Sequence, residues 1–374
     1  MVTETERAAM RRAVELAASA LGATNPNPVV GCVILDAGGG VAGEGRHERA
    51  GREHAEVHAL RAAGDRARGG TALVTLEPCA HVGSTGACAQ ALIDAGVRRV
   101  LYAVADPNPV AAGGGQRLAA AGIAVECGLG AAEAERANEA WLTAIRLGRA
   151  HLTWKYGASL DGRVAAADGS SRWITSAESR ADAHRLRAQA DAVLVGSGTL
   201  GADNPQLAVR HVPLLRPTPP LRVVVDTEAG IRPGARVLDE AAPTLVAVAA
   251  DATVDPAVAD RAEVLRLPRA ADRRLDLAAL LSALRAREVM SVLLEGGPTL
   301  AGAFLATGLV DRVVGYLAPA FIGAAGRPVL DGWSAASIDG TARLELDQMV
   351  PVGPDIKFVA RPVGRRPATT PEGE

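Results

Sequence analysis

The amino-acid sequence predicts two successive α/β domains, and three observations support this fold class. The chain has 374 residues, more than the roughly 100–200 residues of a typical single domain. Short β-branched and apolar runs alternate with helical patterns in both halves, which is typical of α/β layers. The pattern ends at Gly148 and restarts at His151, so we predict domains 1–148 and 149–361. The Pro- and Gly-rich residues 362–374 are predicted to form a disordered tail.

The composition is that of a folded, soluble protein without a nucleic-acid or membrane partner. Hydrophobic residues make up 48% and charged residues 22% of the chain, close to globular averages. A net charge of −2 and only 3% aromatic residues argue against nucleic-acid binding. Neither a signal peptide nor an apolar run of about 18 residues is present. We therefore expect a cytoplasmic protein whose four cysteines are thiols or metal ligands.

In the first half, each element follows from local periodicity and turn residues. An amphipathic helix is followed by a hairpin, whose turn contains Asp36 and three glycines. A helix begins near His54, and an apolar strand ends at Leu76 before a glycine-rich loop. The predicted ranges are helix 6–21, strands 29–35 and 41–46, strand 71–76, helix 87–95, strand 99–105, helix 116–121, strand 123–127 and helix 131–147.

The second half alternates in the same way. Five apolar strands after the first one are separated by three helices, and the proline-rich segment 211–220 is predicted to be a loop. The predicted ranges are strand 151–158, helix 177–190, strands 192–196, 221–226 and 244–249, helix 275–287, strand 289–294, helix 299–307 and strand 312–317.

The most specific motif joins His54, Glu56, Cys79 and Cys88. One imidazole and two thiolates fill three tetrahedral positions of zinc and leave the fourth for water, as in catalytic sites. A glutamate two residues after the histidine would lie beside the metal, where it could pass a proton from water to a departing amine. His-x-Glu followed by Pro-Cys and a second Cys is the signature of zinc-dependent deaminases acting on amidine carbons.

Two other interpretations of this motif remain open. The three side chains could be core residues, or the zinc site could be purely structural, with Cys32 or His81 as the fourth ligand. His58 lies four residues after His54 and is expected to pack or to form a hydrogen bond rather than to bind metal.

The second domain contains a lysine and a glycine motif of interest. Only two of the 40 cationic residues are lysines, and one of them, Lys155, lies in the domain's first predicted strand. The segment 295–300 (EGGPTL) ends a strand and opens a helix whose free amides could hold phosphate, although a plain tight turn explains it equally well. The domain's first strand is not followed by Gly-x-Gly-x-x-Gly, so a Rossmann fingerprint is not predicted.

Six motifs, in this order, make the chain resemble the bifunctional deaminase/reductase family of bacterial riboflavin biosynthesis over almost its full length. They are NPNPVVG at 25–31, HAEVHAL at 54–60, TLEPC at 75–79, ASLDG at 158–162, WITS at 173–176 and EGGPTLAGA at 295–303. The resemblance implies a cytidine-deaminase-like three-layer domain followed by a dihydrofolate-reductase-like α/β domain. It also implies zinc-dependent deamination of 2,5-diamino-6-ribosylamino-4(3H)-pyrimidinone 5′-phosphate, and then NADPH-dependent reduction to 5-amino-6-ribitylaminouracil 5′-phosphate.

The resemblance also assigns site residues by position. His54, Cys79 and Cys88 match the zinc ligands, Glu56 the catalytic proton carrier and Lys155 a catalytic residue of the reductase. Substrate positions are Asn27, His47, His81, Ser171, Arg187, Leu207, Arg210 and Glu295, and we expect Arg187 and Arg210 to bind phosphate bidentately. Cofactor positions are Gly157, Trp173, Thr199, Asp203, Thr227, Gly297, Pro298, Thr299, Leu300, Ala301, Gly302 and Ala303.

The chain departs from the family pattern at two places. Ser84 stands where the family has a basic residue, and the two prolines before Cys88 are missing, while Asn204 replaces an acidic residue. Ser84 suggests one alternative, a paralogue acting on a different aminopyrimidine in a secondary-metabolite pathway. A second alternative is a reductase joined to a non-catalytic zinc domain. A homodimer or higher homo-oligomer is expected from base rates alone.

Overall fold

The computed structural model describes residues 1–80 and 86–363. The chain divides into two compact units, the first Met1–Gly148 and the second beginning at Arg149. Within the described residues, no helix combines the length and apolar character needed to cross a bilayer.

The first unit is one mixed sheet between two helical layers. Strands β1 and β2 form the predicted hairpin, β1 also pairs antiparallel with β3, and β3, β4 and β5 are parallel, in the order β2-β1-β3-β4-β5. Helices α1, α5 and α6 pack on one face, and α2, α3 and α4 on the other. The elements are α1 Glu4–Ala18, β1 Gly31–Leu35, β2 Val41–Arg46, α2 Ala55–Ala63, β3 Thr71–Leu76, α3 Cys88–Asp94, β4 Arg99–Val104, α4 Gly114–Ala120, β5 Ala124–Cys127, α5 Ala131–Ala137 and α6 Glu139–Leu147.

Two close approaches join α2 to the hairpin. A Cβ atom on Gly43 would lie 2.3 Å from the carbonyl oxygen of Ala59, and one on Gly45 would lie 2.3 Å from that of Ala55. Glycine at these positions of β2 therefore lets α2 lie directly on the strand, and α2 begins one residue after His54.

The predicted helix 131–147 is wrong in one respect, because it consists of two helices that meet at Asn138. The buried Asn138 amide accepts the N–H of Val29 at 2.9 Å and donates to the Val29 carbonyl at 2.7 Å. Val29 precedes β1 and is buried outside the sheet ladder, so its backbone needs these partners.

The second unit is built on a nine-stranded sheet in the order β11-β10-β9-β8-β12-β6-β13-β16-β15. Every neighbouring pair from β11 to β13 is parallel, and β16 and β15 join antiparallel. The elements are β6 His151–Ser159, β7 Arg163–Ala165, α7 Ala177–Gln189, β8 Ala192–Gly196, α8 Ser197–Asp203, β9 Leu221–Val225, β10 Thr244–Ala249, α9 Pro256–Ala259, β11 Glu263–Leu267, α10 Leu277–Arg285, β12 Ser291–Leu294, α11 Pro298–Ala306, β13 Arg312–Ala318, β14 Arg327–Pro328, β15 Leu344–Val352 and β16 Asp355–Pro362.

Several elements of this unit were not predicted. They are β7, β11, β14, β15 and β16, together with the short helices α8 and α9. Most of β15 is exposed on both faces, so it lacks the buried alternation that identifies a strand from sequence. The predicted disordered tail starts too early, because Pro362 is the last residue of β16 and is paired with Leu344. Residues 364–374 of that tail lie outside the described residues.

The parallel strands place their carboxyl ends at one edge of each sheet. In the first unit, the segments after β3 and β4 begin there, and in the second unit those after β6, β8, β9 and β12. Ligands of open α/β sheets bind at this edge, so the candidate sites are to be sought there.

Candidate active sites

The structure brings His54, Cys79 and Cys88 together in the first unit. His54 is the residue before α2, Cys79 follows β3, and Cys88 opens α3. The His54 Nδ1 atom lies 3.2 Å from the Cys88 sulfur and 3.7 Å from the Cys79 sulfur. The three ligand atoms all lie within 4.8 Å of one another.

This arrangement fits zinc. Tetrahedral zinc with bonds of about 2.0–2.3 Å separates an imidazole nitrogen from a thiolate sulfur by about 3.6 Å. The two observed N···S distances, 3.2 and 3.7 Å, bracket that value. Among the residues that the structure describes, only these three offer ligand atoms to the cluster. Cys32 lies in β1 with its side chain in the buried core, and His81 lies outside the described residues. His58 faces Glu53, with 3.3 Å between its Nε2 atom and the carboxylate.

The two thiols differ in their pKa values. A hydrogen bond from Cys88 lowers the pKa of Cys79 to about 4, and the same bond raises the pKa of Cys88 well above its ordinary value. The two sulfurs therefore share one proton. Metal binding, which requires both thiols to lose their protons, releases the proton that they share.

Glu56 lies in the first turn of α2 and is only 3% exposed. Burial raises the pKa of its carboxyl group. Its Oε2 atom is buried and has no hydrogen-bond partner in the described part of the chain. A buried carboxyl with an unpaired oxygen beside the metal ligands is suited to accept and return a proton.

Asn27 and His47 form a polar pair next to the cluster, where the His47 and His54 rings are 5.5 Å apart. The Nδ1 atom of His47 faces the carbonyl oxygen of Glu53 at 3.1 Å, and a carbonyl can only accept, so Nδ1 bears the hydrogen. Nε2 then accepts from the Asn27 side-chain amide at 3.1 Å. Burial also lowers the pKa of His47, which keeps this ring neutral. The Asn27 amide oxygen is left to accept a hydrogen bond from a ligand.

In the second unit, Lys155, Arg187 and Glu295 form a half-buried ionic cluster. Nε and Nη2 of Arg187 donate to the Glu295 carboxylate at 2.5 and 2.9 Å, and Lys155 Nζ lies 3.5 Å from Oε2. Burial opposes ionisation of Glu295, but the charges of Arg187 and Lys155 outweigh it and hold its pKa well below the usual range. The guanidinium of Arg187 thus donates to Glu295 and is not free for the bidentate phosphate contact that we expected.

A loop after α8 carries two further predicted residues, Leu207 and Arg210. Leu207 is buried with a left-handed φ of 57°. Arg187 Nη1 donates to the Ala208 carbonyl at 3.0 Å, which ties this loop to the ionic cluster. The side chain of Arg210 is exposed. Ser171 is half-buried before α7 and forms no hydrogen bond to this cluster in the described residues.

His184 holds the same loop and was missed by sequence reasoning. Its Nδ1 atom accepts the Arg210 backbone N–H at 3.1 Å. Burial and the charge of Arg187 lower the pKa of His184 to about 4, so the ring is a neutral acceptor. His184 lies three residues before Arg187 on the same face of α7, and this spacing could have identified it from sequence as a neighbour of the cluster.

Three predicted cofactor residues lie at the carboxyl ends of parallel strands: Thr199 after β8, Thr227 after β9 and Gly297 after β12. Gly297 precedes α11, whose first N–H groups have no side-chain cap. A Cβ atom on Gly297 would lie 3.1 Å from the Thr199 hydroxyl. Free helix N–H groups bind phosphate, so this edge fits a dinucleotide phosphate.

The other predicted cofactor residues lie on several elements of the second unit. Gly157 is in β6, and a Cβ atom there would lie 3.0 Å from Thr175. Trp173 is 67% exposed, with the Arg180 guanidinium 4.3 Å from its ring centre. Asp203 ends α8, 4.0 Å from the Arg172 guanidinium. Pro298, Thr299, Leu300, Ala301, Gly302 and Ala303 form the first turns of α11.

Comparisons with protein families match both units. Residues 3–104 match the cytidine and deoxycytidylate deaminase zinc-binding region, and residues 150–358 match the RibD C-terminal domain. The predicted fold class, a deaminase-type α/β unit followed by a reductase-type α/β unit, is confirmed.

Relatives match this chain over almost the whole length of both proteins. Riboflavin biosynthesis protein RibD of Mycobacterium tuberculosis H37Rv is 46% identical over 359 residues, covering 94% of this chain and 97% of that protein. RibD of Escherichia coli K12 is 42% identical, covering 93% and 96%. The solved structure of Acinetobacter baumannii RibD matches with a TM-score of 0.86 at 37% identity, covering 96% of this chain and 99% of that one. A diaminohydroxyphosphoribosylaminopyrimidine deaminase/5-amino-6-(5-phosphoribosylamino)uracil reductase from Thermotoga maritima matches at 0.83 and 32%, with the same coverage.

Proposed function

Since the chain belongs to the RibD family, we propose that its two units catalyse the two successive reactions of a riboflavin-biosynthesis deaminase/reductase. Residues 1–148 deaminate 2,5-diamino-6-ribosylamino-4(3H)-pyrimidinone 5′-phosphate. Residues 149–361 reduce the ribosyl group of the product, which yields 5-amino-6-ribitylaminouracil 5′-phosphate. The observation that supports this most is the cluster of His54, Cys79 and Cys88 with Glu56 beside it.

In the deaminase, His54, Cys79 and Cys88 hold Zn²⁺. Zinc, when bound, supplies a Lewis acid that makes water a nucleophile near neutral pH. Glu56 takes up a proton at Oε2, the oxygen without a protein partner, and returns it to the departing amino group. Asn27 presents its amide oxygen to a ring N–H of the pyrimidine, because its amide nitrogen is engaged with His47. His81 is assigned to the same substrate by resemblance, and it lies outside the described residues.

In the reductase, α11 and the loops after β8 and β9 bind NADPH, which supplies a hydride when bound. Lys155 has three N–H donors, and one directed to Glu295 leaves two for the sugar oxygens of the substrate. Glu295, kept ionised by Arg187, fixes Lys155 and accepts hydrogen bonds from sugar hydroxyls. Leu207 and Ser171 border this site, and Arg210 binds the 5′-phosphate with its exposed guanidinium.

We also propose that the protein acts in the cytoplasm as a homodimer or higher homo-oligomer. The oligomer is supported by β15, an edge strand with exposed apolar side chains at Leu344, Leu346 and Met349. Sedimentation equilibrium at micromolar concentration tests the oligomeric state, and a monomer at all concentrations would contradict it.

The assay that tests the proposed function uses the purified chain and the diaminopyrimidine phosphate. Without NADPH we expect ammonia release and a mass increase of about 1 Da, since an amino group is replaced by oxygen. With NADPH we expect a further increase of about 2 Da, since hydride and a proton are added. Metal-replete protein that releases no ammonia from this substrate would overturn the assignment of the first unit.

A further inference from the structure

Glu77, the residue directly before Pro78 and Cys79, accepts three backbone hydrogen bonds from a loop further along the chain. Its Oε2 atom accepts the N–H of Asp106 at 3.1 Å. Its Oε1 atom accepts those of Gly113 at 3.1 Å and Gly115 at 2.9 Å. These N–H groups lie at the two ends of the loop 105–113 and at the start of α4, so one carboxylate closes the loop at both ends.

The same loop covers the two cysteines. Ala111 packs against Cys79 and Cys88 in a small buried cluster. The Ala80 N–H donates to the Ala111 carbonyl at 3.0 Å, which joins the loop to the segment that contains Cys79. Through Ala111, the loop therefore covers part of the surface of both cysteines.

The contact between loop and cysteine segment leaves no spare room. A Cβ atom on Gly114 would lie 1.6 Å from the carbonyl oxygen of Pro78. Any residue larger than glycine at this position would push the loop away from the cysteines, independently of Glu77.

We propose that Glu77 is a positioning residue of the metal site, which holds the loop 105–113 over Cys79 and Cys88 and thereby slows the release of zinc. The proposal rests on the proposed function, because it takes these cysteines to be zinc ligands. A carboxylate suits this role, since it accepts several N–H groups at once and each charge-assisted bond is stronger than a neutral one. Glu77 acts through the loop and through Cys79, without touching the reacting atoms.

Two substitutions displace the loop by different routes. Glu77→Ala removes the acceptor of all three N–H groups, and Gly114→Ala displaces the loop sterically while Glu77 is kept. Glu77→Gln is milder, because its amide oxygen can still accept from Gly113 and Gly115 while the amide nitrogen faces the Asp106 N–H. Glu126→Gln is the matched control, because Glu126 belongs to the same unit and pairs with Arg99 at the surface.

The measurement is the rate at which the zinc-loaded full-length protein gives up its metal to a chromogenic chelator. Loss of groups that orient metal ligands commonly weakens metal affinity by about 10–100-fold. We expect release to accelerate by about that factor in Glu77→Ala and Gly114→Ala, by less in Glu77→Gln, and not at all in Glu126→Gln. Excess zinc should restore ammonia release in the variants, which a general loss of folding would not allow.

Release at the wild-type rate from folded Glu77→Ala or Glu77→Gln protein would overturn this proposal alone. Failure of excess zinc to restore activity in protein with a normal circular dichroism spectrum would also overturn it. A wild-type chain that binds no zinc at all would instead overturn the proposed function. Zinc content and release need no deaminase substrate, so the two failures can be told apart.

Discussion

At the residue scale, Arg187 and Arg210 show how two side chains of the same type differ in their surroundings. Both were expected to bind phosphate, but the Arg187 guanidinium donates to Glu295 and to the Ala208 carbonyl. Arg210 is exposed, while its backbone is held by His184. Arg187 is therefore engaged with the ionic cluster and the loop, and the exposed Arg210 is the side chain that we propose for the substrate phosphate.

Arg210→Ala is predicted to raise the KM of the reductase for its phosphorylated substrate by about tenfold to a hundredfold, with little change in kcat. The reason is the loss of a charge-assisted contact worth about 1.5–3 kcal/mol. Steady-state NADPH oxidation measures both constants. The dephosphorylated substrate is the control, since the variant and the wild type should handle it equally, and an unchanged KM for the phosphate form would contradict the assignment.

At the element scale, the position of the metal ligands depends on how α2 lies on the hairpin. His54 and Glu56 are at the start of α2, whose later turns pack on β2 where Gly43 and Gly45 have no side chain. A close helix–strand contact several residues away thus places these two candidate site residues.

Gly43→Ala is predicted to destabilise the first unit, because the new methyl group would lie 2.3 Å from the Ala59 carbonyl oxygen. Overpacking of this kind costs about 1–3 kcal/mol. Urea unfolding of the zinc-loaded protein measures it. Gly234→Ala is the control, since a Cβ atom there meets nothing within 4 Å. Equal urea midpoints for the two variants would contradict the prediction.

An ion pair between Arg149 and Asp311 lies at the start of β6 and makes the folding stability depend on pH. Asp311 accepts two hydrogen bonds from Arg149, at 2.8 and 2.7 Å, and one from the Leu152 N–H at 2.8 Å. Burial alone would raise the pKa of Asp311, but the bonds from Arg149 and Leu152 outweigh it and the net pKa is lowered. A lowered folded-state pKa stabilises the fold above the unfolded pKa of about 3.9, and this stabilisation is lost as the pH falls through the folded value.

Asp311→Asn is therefore predicted to be less stable than the wild type by about 1.5–3 kcal/mol at neutral pH, since bonds to a charged group are lost. The difference should shrink as the pH falls below about 4, because the carboxyl of the unfolded chain then binds a proton, which the folded carboxylate takes up only at its lower pKa. Urea midpoints of both proteins between neutral pH and pH 3 test this. A difference that grows on acidification would show that Asp311 is not the group responsible.

At the scale of the whole molecule, the two units are compact and each contains one of the two candidate clusters. The zinc cluster is made only of residues from the first unit, and the cluster of Lys155, Arg187 and Glu295 only of residues from the second. The two reactions should therefore be separable by substitution.

Glu56→Gln is predicted to lower ammonia release by about 10²–10⁴-fold, the usual contribution of a general acid–base group. NADPH oxidation with the deaminated substrate should remain at the wild-type level. Lys155→Met is the reciprocal variant, which should lose reduction and keep ammonia release. Loss of both activities in either variant would contradict separate sites.

Much of the fold and of the deaminase site could be predicted from local sequence. Strand β3 matches its prediction, Thr71–Leu76, because a short apolar run bounded by glycine and by Glu77-Pro78 is typical of a buried strand. The three candidate zinc ligands were selected because imidazole and thiolate residues beside a helix start and a strand end form a rare set, and the structure brings these three side chains together. The break at Asn138 was missed, because it depends on the backbone of Val29, which is 109 residues away.

Residue order and side-chain chemistry were therefore sufficient to predict the alternation of strands and helices, the family and the metal donor set, since each depends on short-range spacing. The partner of Arg187 was not accessible in this way. It contacts Glu295, 108 residues away, because parallel strands and the helix packed on them meet only in the folded chain. The contacts of Glu77 with the loop 105–113 were not accessible from sequence either. The backbone N–H groups that bond to its carboxylate come close to it only when β3 and β4 pair.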